Sequence, residues 1–299
     1  MSLNISERVR GVSFCWIFGF LFGCHDGISP SKSTHFPSAS WDGKVYHDNS
    51  SVQYNWVQSV IDRIPLSGNE QILDIGTGTG RIAAQLAERV PEGKVIAIDS
   101  SVSMLERAKK AYPEKYYSNL AFCHSSAEEI DFRERFNVVT AFWLLHWVKH
   151  KQVVFDYVCR SLKSGGTAYF YFGPDEGKHR LDQSIAQVAA QKRWPQVVRQ
   201  LQSGFYVEPA QKIHRMLLSS GFIIRHFKVT EQEEWFQSEA DFMQWMRSWM
   251  PHLQYLDTEQ QNFFLKEVMQ QYVEWHPLDH GKVLFHDYMV EIVVQKPAS

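Results

Sequence analysis

Residues 71–100, QILDIGTGTGRIAAQLAERVPEGKVIAIDS, constrain this chain more than any other stretch. Ile72, Leu73 and Ile75 form a short apolar run with β-branched members, which predicts a buried strand. Gly76, Gly78 and Gly80 then alternate with Thr77 and Thr79. From Arg81 the apolar positions Ile82, Leu86 and Val90 recur at helical spacing, and Pro91-Glu92-Gly93 closes the helix. Val95 to Ile98 is a second apolar strand with Asp99 at its carboxyl end. Strand, glycine turn, helix, strand and acid make a nucleotide-binding βαβ unit.

The glycine spacing separates two cofactor classes. A dinucleotide fingerprint has Gly at its first, third and sixth positions, but counting from Gly76 the sixth position is Arg81. Glycine stands instead at the first, third and fifth positions, which lets backbone pass close under a ligand without building the pyrophosphate turn. A nicotinamide oxidoreductase is therefore disfavoured. The Leu-Asp-x-Gly-x-Gly-x-Gly run resembles motif I of the class I S-adenosyl-L-methionine (SAM) methyltransferases. The resemblance implies SAM as cofactor, held by Asp74, Gly76, Thr77, Gly78, Gly80 and Asp99, the last accepting both ribose hydroxyls. It adds Ser100, Met104, Ala127 and Phe142, with Met104 reaching towards the adenine. Ser126 stands where this group usually carries an acid for the adenine amino group; a hydroxyl can still accept one hydrogen bond.

Strands over 119–123, 137–142 and 167–172 and helices over 103–111 and 153–162 continue the alternation. The order implies a doubly wound, mostly parallel α/β sheet with helices on both faces. Aromatic helices over 239–249 and 258–275, a helix over 182–202 broken near Trp194-Pro195, another over 210–220, and strands over 222–229 and 285–295 follow. The Phe242, Trp245, Met246 and Trp249 stripe reads as core, with part of it lining a pocket. The fourth strand ends in Trp143-Leu144-Leu145-His146-Trp147. It lacks the Asp/Asn-Pro-Pro-aromatic motif with which DNA amino-methyltransferases grip an exocyclic amine. An uncharged aromatic strand end with one imidazole suits an apolar acid or alcohol. His146 is either structural or an acid, base or carboxylate ligand.

Over residues 41–296 the chain resembles the small-molecule methyltransferases, most closely the juvenile hormone acid and trans-aconitate group. Tyr46 and Gln53 ahead of motif I, the glycine loop, Asp99, Leu145 to Val148 and Gly221-Phe222 carry this. The resemblance implies a seven-stranded Rossmann-like methyltransferase fold, its last strand antiparallel beside strand five, with a helical substrate cap. It implies that Gln53 and Trp147 hold cofactor and acid substrate; with His146 they are the candidate catalytic residues, and Trp41, Tyr46 and Trp143 the candidate substrate contacts, Trp41 and Tyr46 being otherwise surface packing of an N-terminal arm.

The chain of 299 residues carries a net charge of −2 and no long basic run, so no nucleic-acid footprint is visible. A small-molecule substrate is expected. Cys15, Cys24, Cys123 and Cys159 form no CxxC pair and no metal spacing, and Cys123 and Cys159 read as buried thiols. Residues 1–40 stand apart. Arg8 and Arg10 precede an apolar stretch, Val12 to Phe22, too short to span a bilayer comfortably. It reads as a signal segment or anchor, or as a start codon placed too early or a hydrophobic arm; membrane contact is expected only through residues 11–24. Residues 41–299 then form the methyltransferase domain, with cap helices in 181–220 and 239–280. A cytoplasmic location follows from where SAM is made, and a SAM-binding module without turnover is the other reading of the same motif.

Overall fold

The computed structural model describes residues 46, 50–178, 180–195, 197 and 206–298. Trp41 and the apolar stretch before it lie outside the described residues. Seven strands form one sheet in the order β3-β2-β1-β4-β5-β7-β6. They are β1 (Gln71–Ile75), β2 (Lys94–Asp99), β3 (Leu120–His124), β4 (Phe136–Phe142), β5 (Leu162–Phe172), β6 (Ile223–Phe236) and β7 (Val283–Gln295). The first five are parallel, while β7 runs antiparallel to both β5 and β6.

Eight helices fall in the order α1 (Ser51–Asp62), α2 (Arg81–Arg89), α3 (Val102–Ala111), α4 (Lys151–Ser161), α5 (Leu181–Ala189), α6 (Ala210–Ser219), α7 (Glu239–Trp249) and α8 (Thr258–Trp275) among the described residues. One core joins Val57 and Ile61 of α1, Ala83 and Leu86 of α2, Ile185 of α5, Phe242 of α7 and Phe264 of α8 on one face of the sheet. The other joins Phe155 and Val158 of α4 to Ile213 and Leu217 of α6. Each fully buried Phe or Leu contributes about 1.5–3 kcal/mol relative to exposure. After β3 the chain crosses to β4 on the far side of β1, and such a reversal opens a crevice at the strands' carboxyl ends.

Two elements differ from expectation. β6 extends to Phe236, beyond the expected end at 229, because Glu231, Glu233 and Glu234 lie on a strand whose outer edge is solvated. There charge is tolerated and blunts edge pairing. β5 begins at Leu162, paired with Phe136, and a register shift separates that pair from Val138 opposite Thr167. Cys159 is a half-buried free thiol, and Cys123 is buried on β3. No helix among the described residues is long and apolar enough to cross a membrane.

Candidate active site

The glycine turn leaves β1 with Gly76 N and Thr77 N donating to Ile98 O at 2.8 and 3.0 Å, which ties the turn to β2. Gly76 has φ +73°, and a Cβ there would meet Leu144 at 2.8 Å, so glycine is required on both counts. Gly78 N donates to Asp99 Oδ2 at 2.8 Å, and Ser101 N donates to Asp99 Oδ1 at 2.8 Å. These bonds pin the carboxylate at the cleft while each oxygen keeps a lone pair for a sugar hydroxyl. Burial raises the Asp99 pKa, and the backbone donors from Ser101 and Gly78 oppose that rise. Ser101 caps α3, its hydroxyl accepting from Met104 N, and Met104 reaches the cleft beside Ser100. An acid held by backbone N–H groups beside an open glycine cradle fits the ribose and methionyl portions of SAM.

Other predicted cofactor residues stand behind this wall rather than in it. Asp74 is buried and accepts from Thr140 Oγ1 at 2.7 Å, so it braces β1 against β4. Burial pushes its pKa up to about 6, partly offset by the hydroxyl donors. Gly80 starts α2, and a Cβ there would strike the Phe122 ring at 2.7 Å, which makes it a packing glycine. The Ser126 hydroxyl accepts from Glu128 N at 3.2 Å. Thr77, Ala127 and Phe142 are buried and do not line the cleft.

The opposite side of the cleft is aromatic. Trp143 has φ +56°, a conformation rarely adopted by a bulky residue, and its backbone N is held by Tyr171 O at 2.7 Å. This bend returns its indole to Gln53, whose backbone oxygen accepts from Trp143 Nε1 at 2.7 Å. His146 packs edge-on to Trp143 and 5.2 Å from the Trp147 ring. Tyr46, Gln53, Trp143, His146 and Trp147 all line the same cleft as the glycine turn and Asp99. Burial, then Lys151 and Arg180, lowers the His146 pKa to about 3, so the imidazole is neutral at neutral pH. The buried Lys151 donates to Val148 O at 2.8 Å and to Tyr206 O, while Tyr206 N donates to His146 O at 2.8 Å. These bonds fix the loop that carries the histidine.

The remaining wall comes from the last third of the chain. Trp245 and Trp249 of α7 and Phe285 and Asp287 of β7 line the cleft with Arg180 and Asp182. Arg180 Nε lies 3.0 Å from Asp182 Oδ1 and 3.4 Å from Asp287 Oδ1, and its Nη1 donates to Pro174 O and to Glu176 O. Burial outweighs the guanidinium and pushes the Asp287 pKa up to about 6. Sequence reasoning did not select Arg180, Asp182 or Asp287. The signals present were the carboxylate of Asp287 within the closing strand and two indoles one turn apart on α7.

The glycine turn, the pinned carboxylate and the aromatic wall share one cleft, and comparison with known proteins assigns the class. Residues 66–271 match the methyltransferase domain family. A methyltransferase-named protein of Invertebrate iridescent virus 6 is 26% identical over 233 residues, 78% of this chain and 85% of the viral one. Trans-aconitate 2-methyltransferase of Escherichia coli is 22% identical over 249 residues, 82% of this chain and 94% of that enzyme. The Haemonchus contortus phosphoethanolamine N-methyltransferase 2 structure with S-adenosyl-L-methionine superposes with a TM-score of 0.58 at 17% identity. It covers 85% of this chain and 56% of that one, and shows the shared fold. The chain belongs to the methyltransferase domain family and is a SAM-dependent methyltransferase.

Proposed function

We propose that this methyltransferase modifies an oxygen of a small, largely apolar carboxylic acid. The state of His146 carries the reading. A general base works best with a pKa near the operating pH, and an imidazole driven to about 3 is too weak to deprotonate an alcohol. An acceptor oxygen that arrives without its proton, as a carboxylate with a pKa around 4 does, needs no base from this histidine. The similarity to an enzyme named for trans-aconitate, a carboxylic acid, supports the same chemistry.

Bound SAM supplies a methyl group already activated by the sulfonium charge. Asp99 and the Gly76–Gly78 turn hold the nucleoside. Trp143, Trp147, His146 and Gln53 orient the acceptor and exclude water. Good alignment alone supplies roughly 7 to 11 kcal/mol of the barrier. Residues 41–299 act as one unit in this reading, with the helices of 181–220 and 239–280 as the acceptor cap. Trp41 falls outside the described residues and is not assigned. The reaction is cytosolic, where SAM is made, and any membrane contact runs through residues 11–24.

A second reading rests on Asp287, which lines the cleft with its pKa pushed up to about 6 and could serve as base for a phenol. One assay decides: S-adenosylhomocysteine release with a panel of medium-chain carboxylic acids, alcohols and phenols. Turnover confined to the acids supports the first reading. Turnover confined to phenols, abolished by Asp287→Asn, replaces it.

A further inference from the structure

Gln53 is held by two indoles from opposite parts of the fold. Trp143, at the end of β4, takes its backbone oxygen, and Trp245, on α7, donates Nε1–H to its side-chain Oε1 at 3.2 Å in a buried contact. An indole nitrogen is a donor with no acceptor capacity, so only the amide oxygen can face it. The NH2 of the same planar amide is thereby turned the other way, and Gln53 is a cleft-lining residue. Trp245 itself cannot rotate freely. Its ring lies 4.7 Å from Phe285, 5.4 Å from Phe236 and 5.6 Å from Phe242, with Trp249 at 5.3 Å.

We propose that Trp245 is a positioning residue: it fixes the Gln53 amide as a hydrogen-bond donor into the cleft, so that the cleft selects an acceptor molecule presenting an unprotonated oxygen. Without that indole N–H the amide can present either its oxygen or its nitrogen. A carboxylate, which only accepts, loses by the change. An alcohol, which both donates and accepts, is indifferent to it. The proposal rests on the carboxylic-acid reading above and adds a determinant for it in the cap.

The test is calorimetry on the full chain saturated with S-adenosylhomocysteine, titrated with octanoate and with 1-octanol. The ratio of the two affinities is compared between wild type and Trp245→Phe, which keeps an aromatic ring and removes the N–H. Using a ratio cancels any loss of folded protein. The expected result is a fall in octanoate preference of about tenfold, the scale of one hydrogen bond to a charged group. An unchanged ratio overturns the proposal. A wild type that shows no octanoate preference overturns the carboxylic-acid reading instead. The positioning is then judged by proton exchange at the Trp245 indole. Slow exchange in wild type and fast exchange in Gln53→Leu uphold it; equal rates in the two overturn it.

Discussion

The two halves of the cleft are built differently. The side from Gly76 to Met104, the proposed cofactor half, lies within two consecutive strand-to-helix turns and is shaped by backbone: a left-handed glycine, two N–H groups on one carboxylate, and a capped helix. The opposite side, the proposed acceptor half, draws on Gln53, Trp143, Trp147, Arg180, Trp245 and Asp287, which tertiary packing gathers from most of the chain. Backbone contacts bind a constant ligand and tolerate little change. Side chains on separate elements can be exchanged one at a time, which suits the part of the site that must differ between substrates.

The sharpest way to break that contrast is Gly76→Val. A β-branched residue at φ +73° with Leu144 in its path is expected to weaken S-adenosylhomocysteine binding by roughly 100-fold or more. Calorimetry would read this, and a near-native affinity would show that the turn is not the cradle. Asp99→Ala comes next, with an expected loss of about 10- to 100-fold in the same titration, because bonds to a charged acceptor are worth about 1.5–3 kcal/mol. Thr140→Val removes the hydroxyl donated to Asp74 behind the turn; a cost of about 1–3 kcal/mol should appear in denaturant melts. Cofactor affinity should change far less than stability.

His146→Asn on the acceptor side should change turnover of a carboxylic acid by less than about threefold, since no base is required. A collapse of turnover would make His146 a participant in the chemistry. The same variant carries a stability signature. The folded-state pKa is depressed to about 3 from an ordinary 6.5, so the unfolded chain takes the proton first as pH falls. This histidine's contribution to stability is complete above about pH 6.5 and is lost towards pH 3. Asp74 and Asp287 work in the opposite sense, each raised to about 6, so their protonation favours the folded state as pH falls through that value. The difference between wild-type and His146→Asn melting curves isolates the histidine, and the variant should lose less stability on acidification.

The same contrast explains what the sequence disclosed. The turn, Asp99 and the Trp143–Trp147 strand end were legible because their partners lie within a few residues or on adjoining strands. Spacing could not disclose the packing of Gly80 against the Phe122 ring or the bond from Glu128 N to the Ser126 hydroxyl. Arg180 gave no signal, since nothing in the residues around it announces two carboxylates brought from its own helix and from β7. Trp245 was visible only as part of a core stripe. Its hydrogen bond spans 192 positions, a pairing that no periodicity in α7 encodes.

The placement of β7 between β5 and β6 bears on how the enzyme comes into being. As the polypeptide leaves the ribosome, the nucleotide-holding turns are complete long before residue 283 has been made. The borders of β5 and β6 then stay unpaired until β7 has been made. The cleft wall formed by Phe285 and Asp287 therefore closes only after the strands on both sides of β7 have been made.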